Sequence, residues 1–211
     1  MIFNIIVGIW VTAAILMGFA KTPAMGLKAT PIAFMHIPMA ITMETAFFCA
    51  AVYGGLWLAR RRPGDDAMSL SFAEVGLWFG IIATATGSIW AKANWNAYWS
   101  WDPQQTGIVA TLMTYAALFA LRGANDDENK ARDLWAVYAI FGFIAALFWT
   151  VFFRRFLPTL HPENIMAGSD PTFKNTLRFN YIGFILLMIR IAQLRARVER
   201  ASLRLKEISW M

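Results

Sequence analysis

The chain has 211 residues, of which 58% are hydrophobic, and its mean hydropathy is +0.49. Apolar stretches recur at the length needed to cross a bilayer, which excludes a soluble globular domain and predicts an all-α, polytopic membrane protein. The formal charge of +6 would suit nucleic acid. In a membrane chain, however, the position of the charges matters more than their sum, so we expect no nucleic-acid partner.

The first two predicted spans lie before residue 60. Span one covers residues 2–20 without a charge, and a short loop at 21–30 follows, with Pro23 and Gly26 as breakers. Because it has neither a basic n-region nor a cleavage site, we interpret span one as a retained helix rather than a signal peptide. Span two begins after Pro31 and continues to about residue 59, longer than a bilayer requires, and it carries His36 near its start.

The middle of the chain predicts three more spans. Ser71 and Glu74 have the spacing of a capping box, so we expect span three at about 71–91, with Glu74 as a cap. Span four follows an aromatic loop and ends near residue 121, before a charged connection at 122–133. Span five covers about 134–153, and a longer loop at 154–172 contains His161.

The last part of the chain predicts a short sixth span and a basic amphipathic helix. Span six covers about 176–189, which gives a six-helix transmembrane domain at 1–190. Beyond it, apolar residues recur every three or four positions with arginines and a lysine between them. We expect residues 191–211 to form a cytoplasmic helix that lies on anionic lipid or on a partner's helix.

The basic residues predict the orientation of the spans. With six spans both termini share one side, and twelve of the nineteen lysines and arginines fall on that side. The positive-inside rule therefore places both termini in the cytoplasm, with the aromatic loop and both histidines outside. The twelve are Arg60, Arg61, Arg62, Arg122, Lys130, Arg132, Arg190, Arg195, Arg197, Arg200, Arg204 and Lys206.

Aromatic residues cluster in the segment 90–106, which reads WAKANWNAYWSWDPQQT. Four of the ten tryptophans, Trp90, Trp95, Trp99 and Trp101, fall within twelve positions. An interfacial aromatic belt explains their presence but not their clustering. If the segment is partly helical, Trp95, Tyr98 and Trp99 share one face, and a face of three rings would suit a planar macrocycle.

Asp102 and Pro103 predict the start of the fourth span. Asp is a preferred N-cap residue, Pro is favoured at the first helical position, and Gln105 has the spacing of a capping-box partner. Asp102 therefore has a structural role in addition to any other.

His36 and His161 are the two histidines of the chain, and the predicted topology brings both to the outer side. Two imidazoles could hold a haem iron from its two axial positions. A zinc site would require three or four protein ligands, and Cys49 lies alone inside an apolar run, so a haem would be held without thioether bonds. Candidate partners for the haem propionates on that side are Lys92, Arg154, Arg155, Lys174 and Arg178.

Two further features of span two could serve the same site. Glu44 lies about two helical turns beyond His36 on nearly the same face, and an intramembrane carboxyl group marks a functional position or a hydrogen bond to a neighbouring helix. Met35, Met39 and Met43 form a stripe beside it, which we interpret as core packing.

The stretch WNAYWSWD at 95–102 resembles the W-G-x-W/Y-W-x-W-D signature of the tryptophan-rich haem-handling membrane proteins of cytochrome c assembly. The six spans, the length and one outward histidine on each side of the motif are most similar to the haem exporter protein C family of the system I pathway. The contexts HIP at His36 and TLH at His161 are similar to those of that family's two haem-ligand histidines. The resemblance covers spans two to six.

The resemblance implies that the chain is not an enzyme but presents haem b, held transiently and without a covalent bond, at the periplasmic face of the bacterial inner membrane. It implies delivery to a membrane-tethered haem chaperone, with ABC transporter subunits and a small single-span membrane subunit as companions in the lipid bilayer. His36 and His161 would be the axial ligands of the iron. The haem platform would consist of Trp95, Tyr98, Trp99, Trp101 and Asp102.

Two departures from the family pattern leave alternatives open. Asn96 stands where glycine is usual, and Pro103-Gln104-Gln105 replaces an arginine-containing continuation, which is more similar to the system II haem-handling relatives. Those relatives have more spans and more histidines. A cytochrome b-like electron-transfer subunit would also use paired histidines, but near the middle of facing spans. A small-molecule transporter would need polar or broken helices at mid-depth, which Glu44 alone suggests.

Overall fold

The computed structural model describes residues 2–20, 30–161 and 169–209. These residues form helices and no strand, and six of the helices are long and apolar enough to cross a membrane, which confirms the predicted fold class. They are α1 (Ile2–Ala20), α2 (Thr30–Arg60), α3 (Pro63–Trp95), α4 (Pro103–Gly123), α5 (Glu128–Leu147) and α6 (Pro171–Ser209). A π-helical turn, Phe148–Phe152, and a 3-10 turn, Phe153–Arg155, continue α5.

The centre of the bundle is the antiparallel pair of α2 and α3, against which α5 and α6 pack. Arg61 joins the pair with a left-handed backbone (φ 56°), and Pro63 begins α3. The buried core includes Met43 and Phe47 from α2, and Phe47 stacks on Tyr115 of α4 with 3.5 Å between ring centroids. Met39 is buried in the same core, as expected for the methionine stripe.

Helix α1 lies on the outside of the bundle, against α6 and α2. The indole of Trp10 stacks on the ring of Phe179 at 4.8 Å and its N–H donates to the Phe179 carbonyl oxygen. Most of the remaining apolar surface of α1 is exposed, for example Ile9 and Leu16. That exposure is what a lipid-facing helix requires, because lipid solvates apolar side chains as well as a protein core does.

Helix α3 begins at Pro63, eight residues before the predicted start, so the expected capping box is wrong. Ser71 lies within the helix and donates to the Ala67 carbonyl oxygen. The carboxylate of Glu74 does not cap a helix but accepts a hydrogen bond of 2.7 Å from Arg195 of α6. The spacing of Ser71 and Glu74 matched the motif, but Asp65 and Asp66 supply the acidic residues of the real first turn.

Helix α6 extends from Pro171 to Ser209, so the sixth span and the basic segment after residue 190 are one continuous helix. At 39 residues it is about 58 Å long, well beyond the ~30 Å hydrocarbon core. Ala192 and Ala196 are fully buried, and Arg195 pairs with Glu74 and with Glu199. The start of the basic segment therefore packs on α3; its placement in the cytoplasm stays a prediction.

Charged side chains join three helix ends at the end of α4 opposite Asp102. We use the name charged network for Asp66, Arg122 and Arg132. Both oxygens of the buried Asp66 carboxylate accept from the Arg122 guanidinium, at 2.7 and 2.8 Å, and Arg132 lies 3.6 Å away. Since Asp66, Arg122 and Arg132 belong to α3, α4 and α5, the network fixes how these helices meet.

Part of the sequence interpretation lies outside the described residues. The loop breakers Pro23 and Gly26, and most of the loop that follows His161, fall in residues 21–29 and 162–168.

Candidate functional site

The two histidines line one cavity, of about 300 Å³, at the end of the bundle where α3 ends and α4 begins. His36 comes from α2 and His161 from the loop after the 3-10 turn. Most of the wall is apolar, with polar groups at a few points. The lining residues are Ala33, His36, Ile37, Ala40, Ile41, Met43, Glu44, Trp90, Gln104, Ile108, Thr150, Val151, Arg154 and His161. We call this space the histidine cavity.

The imidazole of His36 is held by α3. Its Nδ1 lies 2.8 Å from the carbonyl oxygen of Ala83. Because a carbonyl oxygen can only accept, Nδ1 carries the proton and Nε2 keeps its lone pair. Pro38 follows two residues later inside α2 and leaves the Phe34 carbonyl oxygen without its usual backbone donor.

The imidazole of His161 is held by Asp102, in the arrangement that commonly orients metal-binding histidines. Nδ1 of His161 lies 2.8 Å from Oδ1 of Asp102. The same carboxylate accepts from the Leu160 N–H at 2.6 Å, from the Thr159 hydroxyl and from the Gln104 N–H. Asp102 therefore organises the TLH sequence around His161 while it caps α4.

The electrostatics of this pair favour a neutral imidazole beside an ionised carboxylate. Burial raises the pKa of Asp102, but hydrogen bonds from Leu160, Gln104 and Thr159 outweigh burial, and the pKa lies below its usual range. Burial lowers the pKa of His161, the Asp102 charge opposes that shift, and the Arg154 charge reinforces it. With Asp102 ionised, Nδ1 of His161 is the donor and Nε2 is the nitrogen left for a metal.

The three-ring face predicted from helical spacing is wrong. Helix α3 ends at Trp95, and Asn96 adopts a left-handed backbone (φ 60°) as its C-cap. Tyr98 and Trp99 therefore do not continue the helical face of Trp95. Glycine and asparagine are the residues that adopt this conformation most readily, which explains how Asn96 can stand where the family pattern has glycine.

The rings of the tryptophan-rich segment divide between the cavity and the surface. Trp95 packs edge-on against the imidazole of His161 at 4.9 Å and against Trp90 at 5.1 Å. Trp99 lines a smaller adjoining space of about 60 Å³ together with both histidines. Tyr98 is 60% exposed and Trp101 is 70% exposed. Two of the predicted platform rings thus face the histidines, and two face outward.

The predicted N-cap of α4 is correct, but Gln105 does not make the predicted capping-box hydrogen bond. Asp102 is the N-cap and Pro103 the first helical residue. The side-chain oxygen of Gln105 accepts from the backbone N–H of Ser100, rather than returning to Asp102 as a capping box would. That bond closes the turn at 100–105 and holds the backbone between Trp99 and Asp102.

One of the five candidate propionate partners lines the histidine cavity, and it is Arg154, from the 3-10 turn. Its neighbour Arg155 is exposed. The ammonium group of Lys92 donates to the carbonyl and side-chain oxygens of Asn96 and lies 5.7 Å from the centroid of the Tyr98 ring. Arg154 is therefore the cation best placed to meet an anionic group in the cavity.

At the deeper end of the cavity, Glu44 and Thr150 face the same space. Thr150 lies in the π-helical turn, where Gly107 of α4 makes a close approach to the Trp149 backbone. Sequence reasoning found Glu44 but missed the turn. The signal available in the sequence was Gly107 in the first turns of α4. Glycine inside a helix lowers the stability of that helix, so its presence indicates that a neighbouring segment packs there too closely for a side chain.

The donor set fits a metal that brings most of its own ligands. Within residues 2–20, 30–161 and 169–209, no three His, Cys, Asp or Glu side chains are grouped as for a bare metal ion. Two neutral imidazole nitrogens in an apolar cavity would suit the iron of a tetrapyrrole, whose four nitrogens complete the coordination. The Ala83 carbonyl and the Leu160 N–H also shape the site, and backbone partners of this kind leave no mark in a sequence.

Comparison with known proteins places the whole chain in one family. The family model described as Heme exporter protein C matches residues 1–210. Similar relatives carry the same description in Bradyrhizobium diazoefficiens (30% identical, covering 85% of this chain and 70% of the relative) and in Paracoccus denitrificans (28%, covering 80% and 72%). A cytochrome c biogenesis protein CcsA of Solanum bulbocastanum is 28% identical over 54% of this chain and 34% of its own length. The chain belongs to the Heme exporter protein C family.

Proposed function

We propose that this protein binds haem b transiently between His36 and His161 and delivers it during cytochrome c biogenesis. The haem is cargo, so ligands at the iron are exchanged while the tetrapyrrole itself is unchanged and no enzymatic step is needed. Family membership supports a haem-handling role. The finer proposal rests on one observation: both imidazoles reach one cavity with Nδ1 engaged.

The two hydrogen bonds support axial ligation because they fix the orientation and the tautomer of each imidazole before haem binds. An imidazole that turns freely would present Nδ1 or Nε2, and a change of tautomer would remove the lone pair from the iron. The Ala83 carbonyl and the Asp102 carboxylate each fix one tautomer. Hydrogen-bonded partners of this kind also raise the basicity of the free nitrogen.

The rest of the cavity supports a planar, amphiphilic cargo. Ala33, Ile37 and Ile108 supply apolar contact for a macrocycle, and Trp95 and Trp99 place rings beside the histidines. We assign one haem propionate to Arg154, because a guanidinium binds a carboxylate with two parallel hydrogen bonds.

The exposed rings suggest where the cargo leaves. Tyr98 and Trp101 face outward from the loop that also carries Asp102. We infer that these rings form the handover surface for a membrane-tethered haem chaperone at the periplasmic face of the bacterial inner membrane. ABC transporter subunits and a small single-span subunit are the further companions in this proposal.

Haem spectra test the ligands directly. Wild type purified in detergent with haem should show a six-coordinate, low-spin spectrum, and His36→Ala and His161→Ala should each become five-coordinate until imidazole is added. Phe141→Ala, on an exposed face of α5, is the control and should match wild type. If both histidine variants keep wild-type haem content and ligation, axial coordination by these residues is wrong.

The propionate contact has a matched control in the adjacent arginine. Wild type should bind haem more tightly than its dimethyl ester, because esterification removes both carboxylates. Arg154→Gln should reduce that preference by about tenfold, in the range of a charged hydrogen bond, while Arg155→Gln should preserve it. Equal preference in the two variants would refute the role of Arg154.

A further inference from the structure

Gly87 of α3 lies directly beneath the imidazole of His36. A Cβ at position 87 would lie 2.6 Å from Cε1, 2.9 Å from Nδ1 and 3.3 Å from Nε2 of that ring. Three of the five ring atoms thus rest where any other residue would place its side chain. Carbon atoms in contact are ordinarily about 3.5–4.0 Å apart, so the ring can occupy this place only above a glycine.

The hydrogen bond of His36 comes from the same part of α3. Ala83, whose carbonyl oxygen accepts from Nδ1, is one helical turn before Gly87, so acceptor and gap are neighbours on one face. Both residues, with His36, line the smaller space of about 60 Å³ beside the histidine cavity. One face of α3 therefore both accepts the hydrogen bond of the imidazole and provides the surface on which the ring lies.

The helical glycines of the bundle differ in what fills the space of the missing side chain. At Gly55 of α2 and Gly8 of α1, an added Cβ would meet nothing within 4 Å. At Gly76 of α3 it would meet Cε1 of Phe47 at 2.7 Å, a contact with the hydrophobic core. Glycine in a helix interior is less favourable than alanine. At Gly87 the neighbour that uses the gap is the proposed iron ligand.

We propose that Gly87 is a positioning residue for haem ligation: it provides the surface on which the His36 imidazole lies, and so sets the direction of Nε2. This inference rests on the proposed function of His36. A methyl group at position 87 has to displace the ring by about 1 Å to reach ordinary contact distance. The ring cannot move that far and keep its 2.8 Å bond to Ala83, so Nε2 turns away from the iron.

The test is Gly87→Ala in the full-length protein, with haem b as the probe. We expect at least a tenfold loss of the six-coordinate species, as for partners that orient metal-binding histidines. The remaining haem should be five-coordinate and held by His161, so the spectrum should match that of His36→Ala.

Gly55→Ala should leave the spectrum unchanged. Gly76→Ala, equally crowded but against Phe47, should lower thermal stability without changing the ligation of bound haem.

The double variant separates positioning from a general effect on packing. In a His36→Ala background the ring is absent, so adding Gly87→Ala should change neither haem content nor spectrum. If His36→Ala loses one ligand while Gly87→Ala keeps wild-type ligation, the positioning role is refuted and the proposed function stands. If His36→Ala itself retains wild-type ligation, the proposed function fails first. Additive losses in the double variant would mean that Gly87 acts through packing, and they would also overturn the inference.

Discussion

Asp102 is the residue on which the geometry of His161 depends. Its carboxylate accepts from Gln104, Thr159, Leu160 and His161, and its side chain is nearly inaccessible to solvent. Only a group with two acceptor oxygens can satisfy four donors that approach from different sides. One residue therefore combines a local role, as the cap of α4, with a long-range role beside a histidine far along the chain.

Asp102→Asn should reduce haem affinity by about 10–100-fold, the usual cost of losing a partner behind a metal-binding histidine. One oxygen of Asp102, Oδ1, accepts from the Gln104 N–H and faces Nδ1 of His161, while Oδ2 accepts from the Leu160 N–H. An amide that keeps the cap therefore turns its NH₂ group toward the Leu160 N–H, and the loss of the charge weakens the acceptor that orients His161. Haem titration monitored at the Soret band measures the change.

Asp170→Asn is the matched control, because Asp170 also precedes a proline at a helix start and accepts from the Thr172 N–H. Asparagine is as good an N-cap as aspartate. This variant should titrate like wild type. Equal losses in the two variants would point to helix capping rather than to His161.

At the scale of elements, the π-helical turn after α5 decides which side chains reach the histidine cavity. Helix α4 packs against this turn, whereas α2, on the other side of the cavity, packs against α5 itself. The turn carries Thr150, and Arg154 follows in the 3-10 turn, so both line the cavity opposite α2. Irregular backbone at this depth is tolerated where it lines a cavity.

Gly107→Ala should destabilise this junction. An added Cβ would collide with the carbonyl oxygen of Trp149 and come within 2.9 Å of its carbonyl carbon, and backbone cannot yield as a flexible side chain can. We expect a loss of about 1–3 kcal/mol in the free energy of unfolding, the usual cost of overpacking. Denaturation of the detergent-solubilised protein measures it.

Gly123→Ala, at the opposite end of α4, meets nothing within 4 Å and serves as the control. Its stability should equal or exceed that of wild type. If Gly107→Ala is as stable as Gly123→Ala, the close packing of Gly107 against the Trp149 backbone does not stabilise the π-helical turn.

At the scale of the whole molecule, α4 separates two polar ends. Asp102 caps its N-terminus beside the histidine cavity, and Arg122 in its last turn belongs to the charged network. Twenty-one residues of helix span about 30 Å, the thickness of the hydrocarbon core. One end of the bundle thus holds the histidine cavity, and the other fastens α3, α4 and α5 together.

Asp66→Asn should lower the free energy of unfolding by up to about 3–5 kcal/mol, because the half-buried Arg122 loses its carboxylate partner and Arg132 is left with Glu128 alone. Asp66 is 1% exposed, so water cannot replace the lost carboxylate as a hydrogen-bond partner of the arginines. Thermal unfolding in detergent reports the loss, and haem ligation in the surviving folded fraction should be unchanged.

Glu128→Gln provides the comparison, since Glu128 pairs with Arg132 at an exposed position. Surface ion pairs contribute about 0–1 kcal/mol, so this variant should remain close to wild type. A haem spectrum altered by Asp66→Asn would show that the two ends of the bundle are coupled, contrary to this prediction.

The sequence by itself determined that the chain is a bundle of six membrane-spanning helices, because hydropathy over about 20 residues is a local property. It also identified Asp102 as a helix cap and the tryptophan motif of the family. Its helix ends were less accurate: the Ser71 and Glu74 pattern matched a cap, but α3 begins at Pro63, with Asp65 and Asp66 in its first turn.

Only the tertiary structure decided that His36 and His161 share a cavity, and that Asp102, Ala83 and Gly87 surround them. It also ended α3 at Trp95 and so separated the rings that helical spacing had placed together. The physical reason is that the Ala83 carbonyl and the missing side chain of Gly87 act on His36 through distances between segments far apart in the chain. Those distances are set by how the helices pack, and no local pattern encodes them.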